Sequence, residues 1–208
     1  NKETMSITKI VRPLFMMRAR QIDRYATEAV AMQQVALNSL LRKAEHTAYG
    51  RNHLFKDIDS YGQFAHNVPL ATYDDLKADI DRMRQGEGNV LWAEDVKMYA
   101  KSSGTTSDKS KFIPVSTDGL KKMHYQGGAD TVALYLRNNP DSRLFDGKGL
   151  ILGGSHSPNY NVANSMVGDL SAILIENINP LVNLVRVPKK RTALLSDFEL
   201  KRERIARE

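Results

Sequence analysis

Between Lys97 and Ser116 the chain reads KMYAKSSGTTSDKSKFIPVS, its richest stretch in groups that can do chemistry. Ser102, Ser103, Gly104, Thr105 and Thr106 follow one another with little side-chain bulk, and Lys109 and Lys111 come just after. Such a run puts exposed backbone N–H groups, hydroxyls and positive charge on one short loop, which is what a polyphosphate needs. It is not a Walker A loop, because that motif places its GK[ST] at a helix N-terminus. Here Val96, Met98 and Ala100 alternate with polar residues before the loop, and Phe112-Ile113-Pro114-Val115 follows it. The expected element is strand–loop–strand, wrapping a phosphate without a helix dipole behind it. Lys111 is the cation placed to reach back onto the β- and γ-phosphates. On composition alone, the same run also reads as a flexible hairpin.

A second concentration lies at Leu150-Ile151-Leu152, an apolar run that reads as a buried strand and empties into Gly153, Gly154, Ser155 and His156. Glycines after a buried strand let a ligand approach the backbone; they are as often plain turn chemistry. His156 is the one side chain there that could move a proton, with a satisfied structural histidine as the alternative. His124 and Tyr125, one helix past the phosphate loop, either line the same pocket or pack. His46, His53 and His66 show no metal-ligand spacing. Asp74, Asp75, Asp79 and Asp81 sit in a helix whose first turn favours carboxylates, so no metal site is expected.

These groups need elements to hold them. Residues 5–47 read as helix, with Ile7, Ile10, Val11, Leu14 and Phe15 on one face and Pro13 as a complication. Ile22, Tyr25, Ala29, Leu37, Leu41 and Ala44 continue a core-facing stripe, and Gly50 is the expected stop. A short helix is predicted near Ser60 to His66, ended by Pro69. Thr72 and Asp75 have capping-box spacing ahead of Leu76, Ile80 and Met83. Past the loop, Ser116 or Thr117 starts a helix through about Arg137, interrupted at Gly127-Gly128. Residues 166–187 are expected to be helical with a break at Pro180, and Ser196 or Asp197 starts a last helix.

The 208 residues suffice for one large domain or two small ones, and 41% are apolar, enough for a sizeable core. There is no cysteine, which excludes disulfides and thiolate metal sites and points to a reducing compartment. No apolar run approaches the roughly 18 residues that cross a bilayer, and the first residues lack a signal-peptide pattern. The expectation is a cytoplasmic protein with no membrane partner. The net charge of +6 is spread widely, with Lys189-Lys190-Arg191 the densest run, and reads as a solvated surface. A basic module contacting nucleic acid or a partner protein is the alternative, but no aromatic-rich basic patch supports it.

The full string SSGTTSDKSKFIP resembles the phosphate-binding loop of the adenylate-forming superfamily. It is most similar to the acyl acid amido synthetases of the auxin-responsive-promoter (Gretchen Hagen) family and their bacterial branch, whose loop reads SSGTT-x-G-x-x-K-x-x-P. Ser102, Ser103, Gly104, Thr105, Thr106, Lys111 and Pro114 fall on the matching positions. One position departs: Asp108 stands where the family has glycine, and a carboxylate there repels a triphosphate unless it points away or helps hold magnesium. The segments QIDRYATEAVAMQQVALNSLLRKAEHTAYGR and YDDLKADIDRMRQGEGNVLW also resemble the family, and KGLILGGSH and GDLSAILIENI resemble its bacterial branch, so the likeness spans most of the chain.

The resemblance implies an α/β fold, a helical N-terminal segment packed on part of a mixed sheet. It implies that residues 1–208 are a partial N-terminal adenylation domain, with the rest of that domain and a C-terminal domain absent and the fragment inactive alone. The implied reaction joins ATP, with Mg2+, to a small-molecule carboxylic acid, giving an acyl adenylate that an amino acid's amine then attacks. A thiol such as coenzyme A is the alternative acceptor. On this resemblance Ser102, Ser103, Gly104, Thr105, Thr106 and Lys111 hold the nucleotide phosphates. Tyr125, Gly153, Gly154 and Ser155 are candidates for the acyl pocket, and His156 is the candidate catalytic side chain. The oligomeric state does not follow from any of this.

Overall fold

The structure, a computed structural model, describes residues 5–102, 110–158 and 165–208. The chain forms two units: the first gathers Asn1–Arg24, Asp118–His156 and Gly168–Glu208, the second Tyr25–Thr117 and Ser157–Val167. The helices are α1 (Ile7–Asp23), α2 (Tyr25–Ala44), α3 (Ala48–Asn52), α4 (Tyr61–Asn67), α5 (Tyr73–Arg84), α6 (Gln126–Asn138), α7 (Leu170–Asn177), α8 (Lys190–Ala193) and α9 (Phe198–Arg207). The strands are β1 (Met98–Lys101), β2 (Phe112–Val115), β3 (Gly149–Leu150), β4 (His156–Pro158), β5 (Met166–Gly168) and β6 (Arg186–Val187). The fold is α/β, as the resemblance implied.

In the second unit, side-chain caps set the helix starts. Ser60 accepts from Gln63 N–H at the start of α4. At the start of α5, Thr72 and Asp75 form the full capping box, which stabilises the first turn by reciprocal bonds. Asp75 accepts from the Thr72 backbone N–H at 2.7 Å, and this bond holds its carboxyl below the usual range. Ile80 and Met83 face inward from α5 and join Val90, Val96 and Tyr99 in the core. Tyr99 is fully buried; its hydroxyl donates to Val96 O at 2.9 Å, and burial pushes its phenol up to about 12. Strands β1 and β2 pair antiparallel, Met98 opposite Val115 and Lys101 opposite Phe112, in the expected strand–loop–strand. They form half of a four-stranded sheet of order β2-β1-β5-β4, of which only the end residues His156 and Gly168 group with the first unit.

The first unit is built on α1 against α6. Arg12 donates to Leu136 O at 2.6 Å, Arg18 grips both oxygens of Asp130 at 2.6 and 2.8 Å, and the Phe15 and Phe145 rings stack at 5.6 Å. Asp146 accepts from Thr8 N–H at 3.0 Å and from the Ser6 hydroxyl at 2.9 Å; with Arg143 alongside, these donors hold its carboxyl far below the usual range. At the other end of this unit, β3 and β6 pair parallel, and Asp197 caps α9 through Leu200 N–H, as its position in the sequence predicts.

Several expectations are corrected. The helix of residues 5–47 is two helices divided at Arg24, whose N–H turns back to Gln21 O; Pro13 is tolerated inside α1. Of the stripe on α2 only Leu41 and Ala44 are buried, because periodicity defines a face without specifying a cover. Gly50 does not stop α2. It sits inside α3, where a Cβ would come 2.0 Å from Ala44 O, the carbonyl already taken by the Thr47 N–H and hydroxyl. Gly127-Gly128 does not interrupt α6; the irregular turn precedes it, as a π-helical segment over Gly119–Tyr125. Leu150, Ile151 and Leu152 are exposed: β3 is a two-residue strand of a two-stranded sheet, and it ends at Leu150. Residues 166–187 hold β5, α7, a 3-10 turn at Pro180–Leu184 and β6 in place of a broken helix, since backbone pairing outweighs local propensity there.

Candidate functional site

The hairpin of the second unit carries one candidate site. Ser102 N–H donates to Lys111 O at 2.9 Å, and Lys111 N–H returns to the Ser102 hydroxyl at 3.1 Å. This double bond pins the two ends of the loop one step beyond the last strand pair, Lys101 opposite Phe112. Ser103, Gly104, Thr105, Thr106, Asp108 and Lys109 lie outside the described residues. The base of the hairpin is held from α5: Phe112 N–H donates to the Tyr73 hydroxyl at 3.0 Å, and the Arg84 guanidinium stacks 3.7 Å from the Phe112 ring centre. Lys111 Nζ stands 5.4 Å from the Tyr73 ring centre, and no ion pair with a carboxylate holds it among the described residues. Its charge is therefore available to an anion, with an aromatic face steadying the stem. Tyr73 was not singled out from the sequence. The signal was present, since it follows the N-cap Thr72 directly and its place on the first turn is fixed by the capping box.

Gly153, Gly154, Ser155 and His156 form a separate candidate site, within the first unit. The first three run as irregular backbone between β3 and β4, so their polar groups need side-chain partners. Gly154 N–H donates to the Ser171 hydroxyl at 2.9 Å, and Ser155 N–H donates to Asp169 Oδ2 at 3.2 Å. Lys201, 9% exposed, donates from Nζ to Gly153 O at 2.6 Å and to Gly154 O at 3.2 Å. A buried ammonium satisfied by two carbonyls fixes the path of this segment. A Cβ on Gly154 would come 1.8 Å from Asp169 Oδ2, so glycine lets the carboxylate in. Beside the segment is a cavity of about 510 Å³. Leu150, Leu152, Phe198 and Ile205 make its walls apolar, and Gly153, Gly154, Ser155 and Lys201 contribute the polar edge. An apolar hollow with a few polar groups is the usual form of a small-molecule site. The exposure of Leu150 and Leu152 thus acquires a use.

His156 Nε2 lies 3.4 Å from Glu176 Oε2, and Glu176 in turn pairs with Lys190 Nζ at 2.7 Å. Tyr125 does not line the cavity; its hydroxyl donates to Leu174 O at 2.8 Å, and burial pushes its phenol up. Neither Lys201 nor Glu176 was visible in the sequence as a site residue, because each acts on a segment some 20 to 48 positions away. Among the described residues no three His, Asp or Glu side chains gather as a metal site.

Residues 18–202 match the family model described as the GH3 family N-terminal domain. The chain belongs to the GH3 family. This GH3 chain is 29% identical over 133 residues to the indole-3-acetic acid-amido synthetase GH3.17 of Arabidopsis thaliana, covering 63% of the chain and 21% of that protein. It is 28% identical over 123 residues to the probable indole-3-acetic acid-amido synthetase GH3.2 of Oryza sativa subsp. japonica, covering 58% of the chain and 19% of the relative. Its fold matches a solved GH3.15 acyl acid amido synthetase with a TM-score of 0.72 at 22% identity, over 88% of this chain and 32% of that one. A second match, at a TM-score of 0.70, is to AtGH3.15 in complex with 2,4-DB. The GH3 chain thus spans about a fifth of the length of these curated relatives.

Proposed function

We propose that this chain is the partial N-terminal adenylation domain of an ATP-dependent acyl acid amido synthetase. In this reading a carboxylate oxygen attacks the α-phosphorus of ATP and pyrophosphate leaves. The amine of an amino acid then displaces AMP from the acyl carbon. The observation that carries the reading is the reciprocal bond between Ser102 and Lys111, which joins the two ends of a Ser/Gly/Thr loop; among the described residues no carboxylate pairs with the Lys111 ammonium. Adenylation needs negative charge neutralised on the departing pyrophosphate by donors already in place. Ser102, Ser103, Gly104, Thr105, Thr106 and Lys111 would supply them, with Mg2+ adding its charge to the phosphates. The apolar cavity bordered by Gly153, Gly154 and Ser155 suits the acid.

An amine in preference to a thiol acceptor is supported by the relatives, which are named amido synthetases. Membership of the bacterial branch rests on the segments around Leu150 and Asp169. A cytoplasmic setting fits the absence of cysteine, and among the described residues no helix is long and apolar enough to cross a membrane. The test uses the full-length protein that carries this chain. Carboxylate-dependent ATP–pyrophosphate exchange should fall on the order of 100-fold in Lys111→Ala and roughly 10-fold or more in Ser103→Ala. Exchange unchanged in both variants overturns the phosphate-loop assignment. Products analysed with amino acids and with coenzyme A then decide between amide and thioester.

A further inference from the structure

The amide-forming half of this reaction has a proton to dispose of, and the chain holds a group arranged to take it. We propose that Glu176 is a positioning residue that fixes His156 as the proton acceptor for the incoming amine, and that Lys190 locks Glu176 in place. The inference rests on the amido synthetase reading above.

Glu176 lies in the last turn of α7, where carbonyl groups point outward and the helix end is negative. A carboxylate there is disfavoured unless a cation joins it. Lys190 does so twice, reaching the Glu176 backbone carbonyl at 2.6 Å and its Oε1 at 2.7 Å. One ammonium thereby caps the helix and fixes the side chain. The other carboxylate oxygen, Oε2, is left facing His156 Nε2 at 3.4 Å. Catalytic hydrogen bonds are often long before substrate arrives and tighten afterwards. A carboxylate can only accept, so the Nε2 that faces it is a protonated nitrogen, and in the neutral ring the lone pair sits on Nδ1. No hydrogen bond to Nδ1 is formed by any described residue. The backbone of His156 is fixed from its other side by Gly168, where a Cβ would come 2.5 Å from His156 Cα. The backbone of His156 is thus set by Gly168, and its ring by Glu176. A histidine retained only for packing needs no such arrangement.

In the step itself the amine nitrogen forms its bond to the acyl carbon. The bond from that carbon to the phosphate oxygen breaks, and its electron pair leaves with AMP. The surplus proton on nitrogen passes to His156 Nδ1. Adenylation transfers no such proton, so the two half-reactions should respond differently.

The experiment compares two nucleophiles in the full-length enzyme, using indole-3-acetate and 2,4-DB as carboxylates. Hydroxylamine, largely neutral at pH 7, traps the acyl adenylate without help from a base. An equimolar mixture of the proteinogenic amino acids, present as ammonium forms, requires proton removal. The ratio of amide to hydroxamate should fall on the order of 100-fold in His156→Ala and roughly 10- to 100-fold in Glu176→Gln, with partial recovery in Glu176→Asp. Added imidazole should restore His156→Ala but not Glu176→Gln, where the ring still fills the site. An unchanged ratio in His156→Ala or Glu176→Gln overturns the proposal. So does a parallel loss of amide and hydroxamate with a lowered melting temperature, which marks a structural role. A wild-type enzyme without pyrophosphate exchange overturns the adenylation reading instead, and this inference with it.

Discussion

The hairpin of the second unit and the Gly153–His156 segment of the first hold their functional groups in opposite ways. Around β1 and β2 the supports are regular backbone elements: Thr72 and Asp75 start α5, strand pairing sets the loop ends, and Tyr73 of α5 holds Phe112 N–H. Around Gly153 the supports are individual side chains. Ser171, Asp169 and Lys201 each bond backbone that lacks regular partners, and Glu176 reaches His156. The hairpin loses one bond of many when a support is removed. The irregular segment has no ladder to fall back on, so each support carries more.

This contrast predicts a graded series, read by thermal or urea unfolding. Gly168→Ala should be the most severe, at about 3 kcal/mol, because the new Cβ meets the backbone of His156 and the Ser155 carbonyl at 2.6 Å. Lys201→Met comes next. It removes an ammonium from two carbonyls and should cost roughly 1.5–3 kcal/mol; a loss below that of the next variant would erase the distinction between the regions. Thr72→Ala, which deletes half of the capping box, should cost about 1 kcal/mol. The smallest change should be a gain. In Gly128→Ala, nothing lies within 4 Å of the new Cβ and the residue is inside α6, so about 0.5–1 kcal/mol of stabilisation is expected. A destabilised Gly128→Ala would show that the glycine pair carries a constraint on the π-helical turn before it.

The same contrast decides what could be read from the sequence. Caps act within three residues, so Ser60, Thr72 with Asp75, and Asp197 were all visible before any coordinates. Alternation and small residues gave the hairpin, and the complete loop string gave the family. Lys201 looked like any lysine of a charged helix; only its approach to Gly153 O makes it a support. Leu150-Ile151-Leu152 carried the apolarity of a buried strand, but a two-residue pairing leaves it exposed to a cavity. Gly50 had the look of a helix stop, and its reason is the Ala44 carbonyl pressed against it. In each case the deciding partner is a contact that no local pattern encodes.

The packing of α1 on α6 also bears on how the chain is made. Arg12 waits for Leu136, 124 positions later, and Thr8 waits for Asp146, 138 positions later. At ordinary synthesis speeds of about 5–20 residues per second, that separation is roughly 6–28 s, in which Phe15 also lacks its ring partner Phe145. The second unit has Tyr25–Thr117 in one uninterrupted run, although Ser157–Val167 joins it only after α6. The order of emergence therefore favours α5 and the β1–β2 hairpin forming while α1 still awaits its cover. Protease cleavage within α1 of stalled nascent chains should persist until α6 has emerged, and early protection would reverse that order.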